Sequence, residues 1–187
     1  MGDSSLDFNP LSFPKVRWDA WKCDASFLPG DELPAESNGR LYAVLVFVYY
    51  GDKIVLADIA GRGYCIPSGR IEPGETIIAA ALREVYEETG VTLKDEDLFL
   101  IGSYELVGAG STRASTRYCP VFIAEAIGFE PVPAGSESRG ILLAAAEDVE
   151  DLYYHWDPLM DAVFRYAGKI HGDRYKAGIS IAELVSE

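Results

Sequence analysis

Apolar residues occur in short blocks between residues 41 and 146, and these blocks predict a β-sheet. The run LYAVLVFVYY at 41–50 is rich in β-branched and aromatic residues, and a Gly-Asp turn separates it from the run KIVLADIA. Two such runs around a turn predict a β-hairpin. Further strands are predicted at residues 64–66, 97–108, 116–129 and 141–146.

Two other segments show the spacing of an amphipathic helix. The first helix is predicted to start close to Glu75 and to stop at Gly90. Its apolar stripe consists of Ile78, Ala81, Leu82 and Val85. The second helix is predicted to have Asp157 as its N-cap and Pro158 at its first position. Its apolar face consists of Leu159, Ala162, Val163, Tyr166, Ala167 and Ile170. Strands that alternate with helices in this way predict an α/β or α+β fold.

The chain divides into three predicted regions. Residues 1–38 contain several prolines and no sustained period, which predicts an N-terminal extension that ends in the linker FLPGDELPAESNG. The extension carries Phe8, Phe13, Trp18 and Trp21. We expect this aromatic area to pack on the domain, as an extra strand of the same core, or on a second subunit. The main domain is predicted at 39–170, and a C-terminal tail or short helix at 171–187.

The charge balance limits the partners of the chain. Thirty acidic and sixteen basic side chains give a net charge of −14, which argues against extended nucleic acid and anionic membranes as partners. The longest apolar run is about half of what a bilayer-spanning helix needs, and the N-terminus does not show the order of a secretory signal. We therefore expect a soluble, cytoplasmic protein. An anionic substrate would require a metal ion or a few well-placed arginines.

The three cysteines, Cys23, Cys65 and Cys119, are far apart and show no CxxC spacing. An odd number of isolated cysteines predicts neither a disulfide framework nor a zinc cluster. We therefore expect buried thiols without a chemical role.

The first predicted helix also has an acidic face. Glu84, Glu87 and Glu88 fall within an arc of about 100° on a regular helix. Carboxylates at this spacing repel one another unless a cation lies between them. Clusters of carboxylate oxygens suit hard cations such as Mg²⁺ or Mn²⁺. Taken alone, the triplet is more simply explained as a solvated acidic helix face.

The triplet belongs to a longer pattern. The pattern is Gly69-x5-Glu75-x7-Arg83-Glu84-Val85-x-Glu87-Glu88-x-Gly90-Val91. It resembles the signature of the Nudix hydrolase family, and all nine specified positions match. Chance agreement of the seven fixed residues is roughly 10⁻⁸ per register at ordinary residue frequencies. Only Ser68 departs from the family, which commonly has a second glycine at this position.

The resemblance implies a fold, a reaction and a set of site residues. It implies an α/β/α sandwich around a mixed sheet, and divalent-metal-dependent hydrolysis of a pyrophosphate linkage in a nucleoside diphosphate joined to another group. Glu84, Glu87 and Glu88 take the positions of metal ligands, with Gly69 close to the metal. Arg83 takes the position that orients a neighbouring glutamate, and Glu75 the one that supports the helix start. The implied cofactor is Mg²⁺ or Mn²⁺, and the implied partner is a small nucleotide.

The sequence leaves the specific substrate open. Markers of ADP-ribose, dinucleoside polyphosphate and NADH hydrolysis are missing from the positions where the family carries them. Candidates for binding phosphate are the arginines Arg62, Arg70, Arg113 and Arg117. The oligomeric state also stays open, with a homodimer as one alternative.

Glu137 is the candidate general base, because metal-bound glutamates are poor proton acceptors and the segment Gly135–Arg139 resembles the loop that supplies this residue in the family. Glu105 is the other candidate, although its position in a predicted strand favours a structural role. Two other functions are alternatives to hydrolysis. A non-catalytic Nudix-fold nucleotide sensor usually lacks one or more of the glutamates, whereas this sequence has all of them. A Nudix-type isomerase needs a Cys-His metal constellation, and the sequence shows no Cys-His pair at a suitable spacing.

Overall fold

The computed structural model describes residues 12–108 and 116–176. Most of the predicted loop GAGSTRA, including Arg113, therefore lies outside the described residues, as does Phe8. The strands are β1 Val16–Trp18, β2 Cys23–Pro29, β3 Ala43–Tyr50, β4 Lys53–Ile59, β5 Gly63–Cys65, β6 Ser68–Arg70, β7 Phe99–Gly108, β8 Thr116–Glu125 and β9 Ser138–Ala144. The helices are α1 Ile77–Thr89, α2 Val149–Leu152 and α3 Pro158–Lys176.

The strands form one mixed sheet in the order β1-β2-β7-β8-β3-β4-β5, with β6 paired to β3 and β9 paired to β4. β3 and β8 run parallel, whereas the other pairs of named strands are antiparallel. β6 pairs with β3 at Ala43–Leu45, on the edge of β3 that faces β4. β3 and β4 therefore pair with each other only next to the turn of their hairpin. The sheet therefore opens between β3 and β4, and β6 fills the start of this gap.

Helices cover both faces of the sheet. Ala80, Ala81 and Val85 of α1 pack against buried valines of β3 and β4. On the opposite face, α3 packs its apolar stripe against Phe47, Tyr104 and neighbouring residues. Burial of these two apolar stripes stabilises a three-layer structure. The predicted α/β/α sandwich around a mixed sheet is confirmed.

Helix α1 begins two residues later than Glu75. Thr76 is its N-cap, and the Thr76 hydroxyl accepts a hydrogen bond from the Ala79 N–H at 3.1 Å. Gly90 ends the helix in the left-handed conformation (φ 71°), as predicted. The buried face is rotated relative to the predicted stripe, because Ile78 is only half-buried whereas Glu88 is buried. Of the acidic face, Glu88 is therefore withdrawn from solvent, whereas Glu87 remains exposed.

The N-terminal segment belongs to the sheet. β2 pairs with β7 along its whole length, and β1 pairs with β2. The predicted linker began at Phe27, but Phe27 is buried in the core and Pro29 still pairs with Gly102. The irregular connection therefore begins only after Pro29. Of the two packing alternatives for this segment, the described residues show the extra strands on the same core.

Helix α3 continues beyond residue 170, where the sequence pattern placed its end. The imidazole of His171 stacks on the ring of Tyr49 at 3.9 Å and contacts the Glu125 carboxylate at 2.6 Å. The Arg174 guanidinium lies 4.1 Å from the Phe99 ring centre. These tertiary contacts stabilise the last turns of α3, which the apolar periodicity does not predict. Within the described residues, no helix is long and apolar enough to span a membrane.

Candidate active site

Arg83 is the centre of an ion-pair network on α1. Its guanidinium donates two hydrogen bonds of 2.9 Å to the carboxylate of Glu75. A third nitrogen donates to Glu84 at 2.7 Å and to Glu87 at 3.3 Å, and the Arg70 carbonyl accepts a further bond at 3.0 Å. The hydrogen bond from Arg83 holds the pKa of Glu75 below its ordinary value. The network fixes the carboxylates relative to β6.

Two of the three glutamates are withdrawn from water. Burial is the main cause that raises the pKa of Glu84, and it raises the pKa of Glu88 to about 7. The Glu88 carboxylate accepts a hydrogen bond of 2.9 Å from the Ser68 N–H, and the nearby charge of Glu84 adds to its shift. Two buried carboxylates that repel each other favour a cation between them.

The Glu84 carboxylate occupies the space in which a side chain at position 69 would lie. A Cβ atom at this position would overlap all three atoms of that carboxylate. The backbone of Gly69 is not in the left-handed region, so the requirement for glycine is one of space and not of conformation. Ser68 is compatible with the site, because it contacts Glu88 through its backbone N–H.

We expect Gly69→Ala to fold and to weaken the site, because the added methyl group must displace Glu84. The Mg²⁺ concentration that gives half of the maximal hydrolysis rate should rise at least about tenfold, as is typical when the support of a metal ligand is disturbed. Metal titration of the hydrolysis rate measures this effect. Gly128→Ala is the matched control, since a Cβ at Gly128 meets no atom within 4 Å. An unchanged metal constant for Gly69→Ala would contradict the prediction.

The glutamates line one end of a cleft of about 1710 Å³. The floor of the cleft consists of side chains from the α3 face of the sheet, among them Ala43, Leu45, Leu106 and Cys119. The loop at residues 133–137 and the segment at 153–157 line its sides. The cleft therefore combines an acidic end with a largely apolar floor.

The predicted substrate residues that the structure describes all line this cleft. Arg62 lies at the glutamate end, where its guanidinium is 3.5 Å from the Glu137 carboxylate. Both groups lie near enough to Glu88 to influence its pKa. Arg70 and Arg117 lie over the ring of Tyr42, at 5.4 and 4.5 Å from its centre. The cleft thus carries positive charge in a strongly acidic protein.

Comparison with known proteins identifies the family. The profile of the NUDIX domain matches residues 39–174. The chain belongs to the Nudix family. This confirms the resemblance indicated by the motif at residues 69–91.

The relatives of this Nudix chain are similar over part of their length. A Bacillus subtilis (strain 168) protein named for 8-oxo-dGTP diphosphatase activity is 43% identical over 65 residues, which cover 35% of this chain and 40% of that protein. The human 8-oxo-dGDP phosphatase NUDT18 is 39% identical over 87 residues, which cover 42% of this chain and 26% of that protein. The matches thus span less than half of either relative.

Solved structures show the same fold. A point mutant of the Bacillus subtilis pyrophosphohydrolase BsRppH superposes with a TM-score of 0.64 at 24% identity, and the match covers 90% of this chain and 99% of that chain. A Caenorhabditis elegans Ap4A hydrolase superposes with a TM-score of 0.54 at 17% identity, with 71% and 98% covered. Both confirm the Nudix fold.

The glutamates of the Nudix box fit a hard divalent cation by their donor chemistry. Within residues 12–108 and 116–176, no three Asp, Glu, His or Cys side chains form a group that could hold a metal ion. Glu87 is half-exposed and contacts Arg83, whereas Glu84 and Glu88 converge beside Gly69. Mg²⁺ is usually bound through one or two carboxylates together with waters and substrate phosphates. Two converging glutamates are therefore enough for a Mg²⁺ site. The set of three ligands, with Glu87 as the third, stays a prediction.

Sequence reasoning missed part of the cleft. Tyr42, Trp18 and Trp21 line it, yet they lie outside the Nudix box and follow no motif. The signal for the two tryptophans was their aromatic area in a segment without periodicity, which predicted packing but not a place in the cleft. The Glu105 carboxylate accepts a hydrogen bond of 3.0 Å from the Tyr118 hydroxyl, and Glu105 is not among the cleft residues. This contact agrees with the structural role expected for Glu105.

Proposed function

We propose that this protein hydrolyses a pyrophosphate linkage in a nucleoside diphosphate that is joined to a phosphate or another group. The observation that carries the proposal is the convergence of Glu84 and Glu88 beside Gly69, at one end of a cleft that also contains arginines. A pyrophosphate group is anionic, and its hydrolysis needs charge neutralisation, an activated water and a proton acceptor. The family membership of the chain supports the same reaction.

The proposed cofactor is Mg²⁺ or Mn²⁺, held by Glu84 and Glu88 with Glu87 and the Gly69 backbone as further ligands. A divalent cation at this position neutralises phosphate charge and lowers the pKa of the attacking water. Arg83 keeps the carboxylates in place through its contacts with Glu75 and Glu84.

Other side chains are proposed to act on the substrate directly. Arg70 and Arg117 bind phosphate oxygens, and Arg62 does so at the glutamate end. Arg113, which lies outside the described residues, is proposed to bind phosphate as well. Glu137 is proposed to accept the proton of the attacking water, because it lies within the electrostatic range of Glu88 at the mouth of the cleft.

The names of the two relatives suggest where to begin the search for a substrate. They refer to 8-oxo-dGTP and 8-oxo-dGDP, so we propose oxidised deoxyguanosine nucleotides as the first members of a substrate panel. Nucleotide sugars, ADP-ribose, dinucleoside polyphosphates, NAD(H) and coenzyme A complete the panel. Chromatography then shows whether a nucleoside monophosphate is released. Tight binding of one member without any product would instead support a nucleotide sensor.

Metal removal tests the proposed cofactor. We expect EDTA to abolish hydrolysis of the best substrate and added Mg²⁺ or Mn²⁺ to restore it, because the cation supplies several kcal/mol of transition-state stabilisation. A fixed-time assay of released phosphate, before and after metal return, measures the effect. Full activity in excess EDTA would contradict the metal dependence.

A further inference from the structure

The end of the cleft away from the glutamates carries an exposed tryptophan. Trp21 retains 56% of its surface accessible and lines the cleft together with Trp18. Both residues precede the part of the chain that the NUDIX domain profile matches. An exposed indole inside a cleft is a ready stacking surface for a planar ligand.

The strand order separates the two ends of the cleft. Gly69 pairs with β3, and Cys23, two residues beyond Trp21, pairs with Gly108. Four strand steps, through β3, β8 and β7, lead from β6 to β2. At the usual spacing of neighbouring strands, these steps amount to roughly 19 Å. The carboxylates and the indole extend into the cleft from its two ends, so the gap between them is shorter than this backbone distance. A ligand with phosphates at one end and a planar ring at the other would lie in this gap.

Trp21 is held in place although it is exposed. It ends a short 3-10 turn at Asp19–Trp21, which the left-handed Lys22 (φ 51°) closes by donating its N–H to the Asp19 carbonyl at 3.1 Å. Trp18 packs edge-on against it, with ring centres 5.3 Å apart. The Trp18 indole N–H donates to Asp157 at 2.7 Å, which ties the pair to the N-terminus of α3. A pre-positioned ring loses little conformational entropy when a ligand stacks on it.

Tyr104, Tyr153, Tyr154 and Trp156 also line the cleft, but the first is buried and the others are only partly exposed. Tyr42 is a further aromatic residue of the cleft. The guanidinium groups of Arg70 and Arg117 already lie over its ring. A base that stacked on Tyr42 would displace at least one of these cation–π contacts. Trp21 has no guanidinium over its ring among the described residues and is therefore the better surface for a base.

From this geometry we propose that Trp21 stacks on the nucleobase of the substrate and that Trp18 acts as the residue that positions it. The inference rests on the proposed function, because it assigns the phosphates of the same ligand to the glutamate end. The N-terminal strands would then contribute to substrate selection by the Nudix domain.

Binding of two unreactive ligands tests the stacking contact. Guanosine 5′-(α,β-methylene)diphosphate carries a base and a non-cleavable phosphate pair, whereas methylenediphosphonate carries only the phosphate pair. Calorimetry with Mg²⁺ should show that Trp21→Ala weakens the nucleotide at least about fivefold, the lower range for loss of one base-aromatic stack. The affinity for methylenediphosphonate should not change, and Trp21→Phe should recover most of the loss.

Matched variants and a spectroscopic readout complete the test. Tyr50→Ala removes another exposed aromatic ring, which lies outside the cleft, and should change neither the nucleotide affinity nor the methylenediphosphonate affinity. The nucleotide should quench tryptophan emission of the wild type, and Trp21→Phe should lose most of this quenching. Equal weakening of both ligands by Trp21→Ala, an unchanged nucleotide affinity, or no nucleotide binding by the wild type would overturn the proposal.

The same measurements separate the inference from the proposed function. A wild-type protein that shows the expected binding pattern but hydrolyses no member of the substrate panel would refute the function and keep the base site. Hydrolysis that proceeds while Trp21→Ala binds the nucleotide normally would refute the base site and keep the function.

Discussion

Glu88→Gln is expected to lower kcat by at least roughly 10²-fold, because the loss of one charged ligand removes several kcal/mol of transition-state stabilisation. Glutamine is nearly isosteric with glutamate and can still accept the hydrogen bond from the Ser68 N–H. The variant should therefore fold normally, with unchanged circular dichroism. Steady-state kinetics at saturating Mg²⁺ measure the effect.

The same substitution is expected to stabilise the metal-free protein at alkaline pH. Burial raises the pKa of Glu88 from 4.5 to about 7 in the folded state, so its charged form opposes folding. This penalty is fully present above pH 7, declines as the pH falls and is absent below about pH 4.5. Glutamine carries no charge and should raise the free energy of unfolding by about 1–3 kcal/mol at pH 8. Thermal melts of the wild type and of Glu88→Gln, in EDTA at pH 8 and at pH 5, measure how the stability difference between the two proteins changes with pH.

Glu150→Gln provides the control for both measurements, since Glu150 is an exposed residue of α2 outside the cleft. It should change neither kcat nor the melting temperature. A Glu88→Gln enzyme of normal activity would contradict the proposed metal site. Destabilisation at pH 8 would instead show that the Glu88 charge already has a favourable partner in the metal-free protein.

Glu137→Gln is expected to lower kcat by about 10²-fold and to leave KM nearly unchanged, as expected when a group acts only in the transition state. The Glu137 side chain is exposed and contacts Arg62 at 3.5 Å, so its loss should not affect folding. Its backbone carbonyl accepts a hydrogen bond from the Ala60 N–H, and this contact does not involve the side chain. Initial rates over a range of substrate concentrations separate kcat from KM.

Glu105→Gln is the matched control, because Glu105 was the other candidate for the base and contacts Tyr118 and Ser26. Its kcat should stay within about threefold of the wild type. If Glu137→Gln also stays within that range, Glu137 is not the base, and the alternatives are Glu87 as the base or a metal-bound hydroxide alone.

Features that depend on neighbouring residues were predictable from the sequence. The β3–β4 hairpin follows from two apolar runs around a Gly-Asp turn, and α1 follows from its periodicity and from Gly90 at its end. The Nudix box specifies glycine, arginine and glutamates at set spacings, so the sequence alone indicated the family and the candidate reaction. Such patterns are local, and local spacing dictates which side chains share a helix face.

Features that depend on distant residues needed the tertiary structure. Ser68–Arg70 is a strand only because it pairs with β3, and its approach to α1 buries Glu88, which helical periodicity placed on an exposed face. The N-terminal residues lack periodicity, yet β2 pairs with β7, about eighty residues later in the chain.

The cleft itself is the clearest case of a feature that the sequence could not specify. The carboxylates of the Nudix box, the arginines near Tyr42 and the exposed Trp21 come from separate segments, and only the strand order places them along one groove. The sequence determined the chemistry of one end of this cleft, because that chemistry is carried by one helix and the loop before it. The tertiary structure decided the rest, because pairing between distant strands determines which residues form the opposite end.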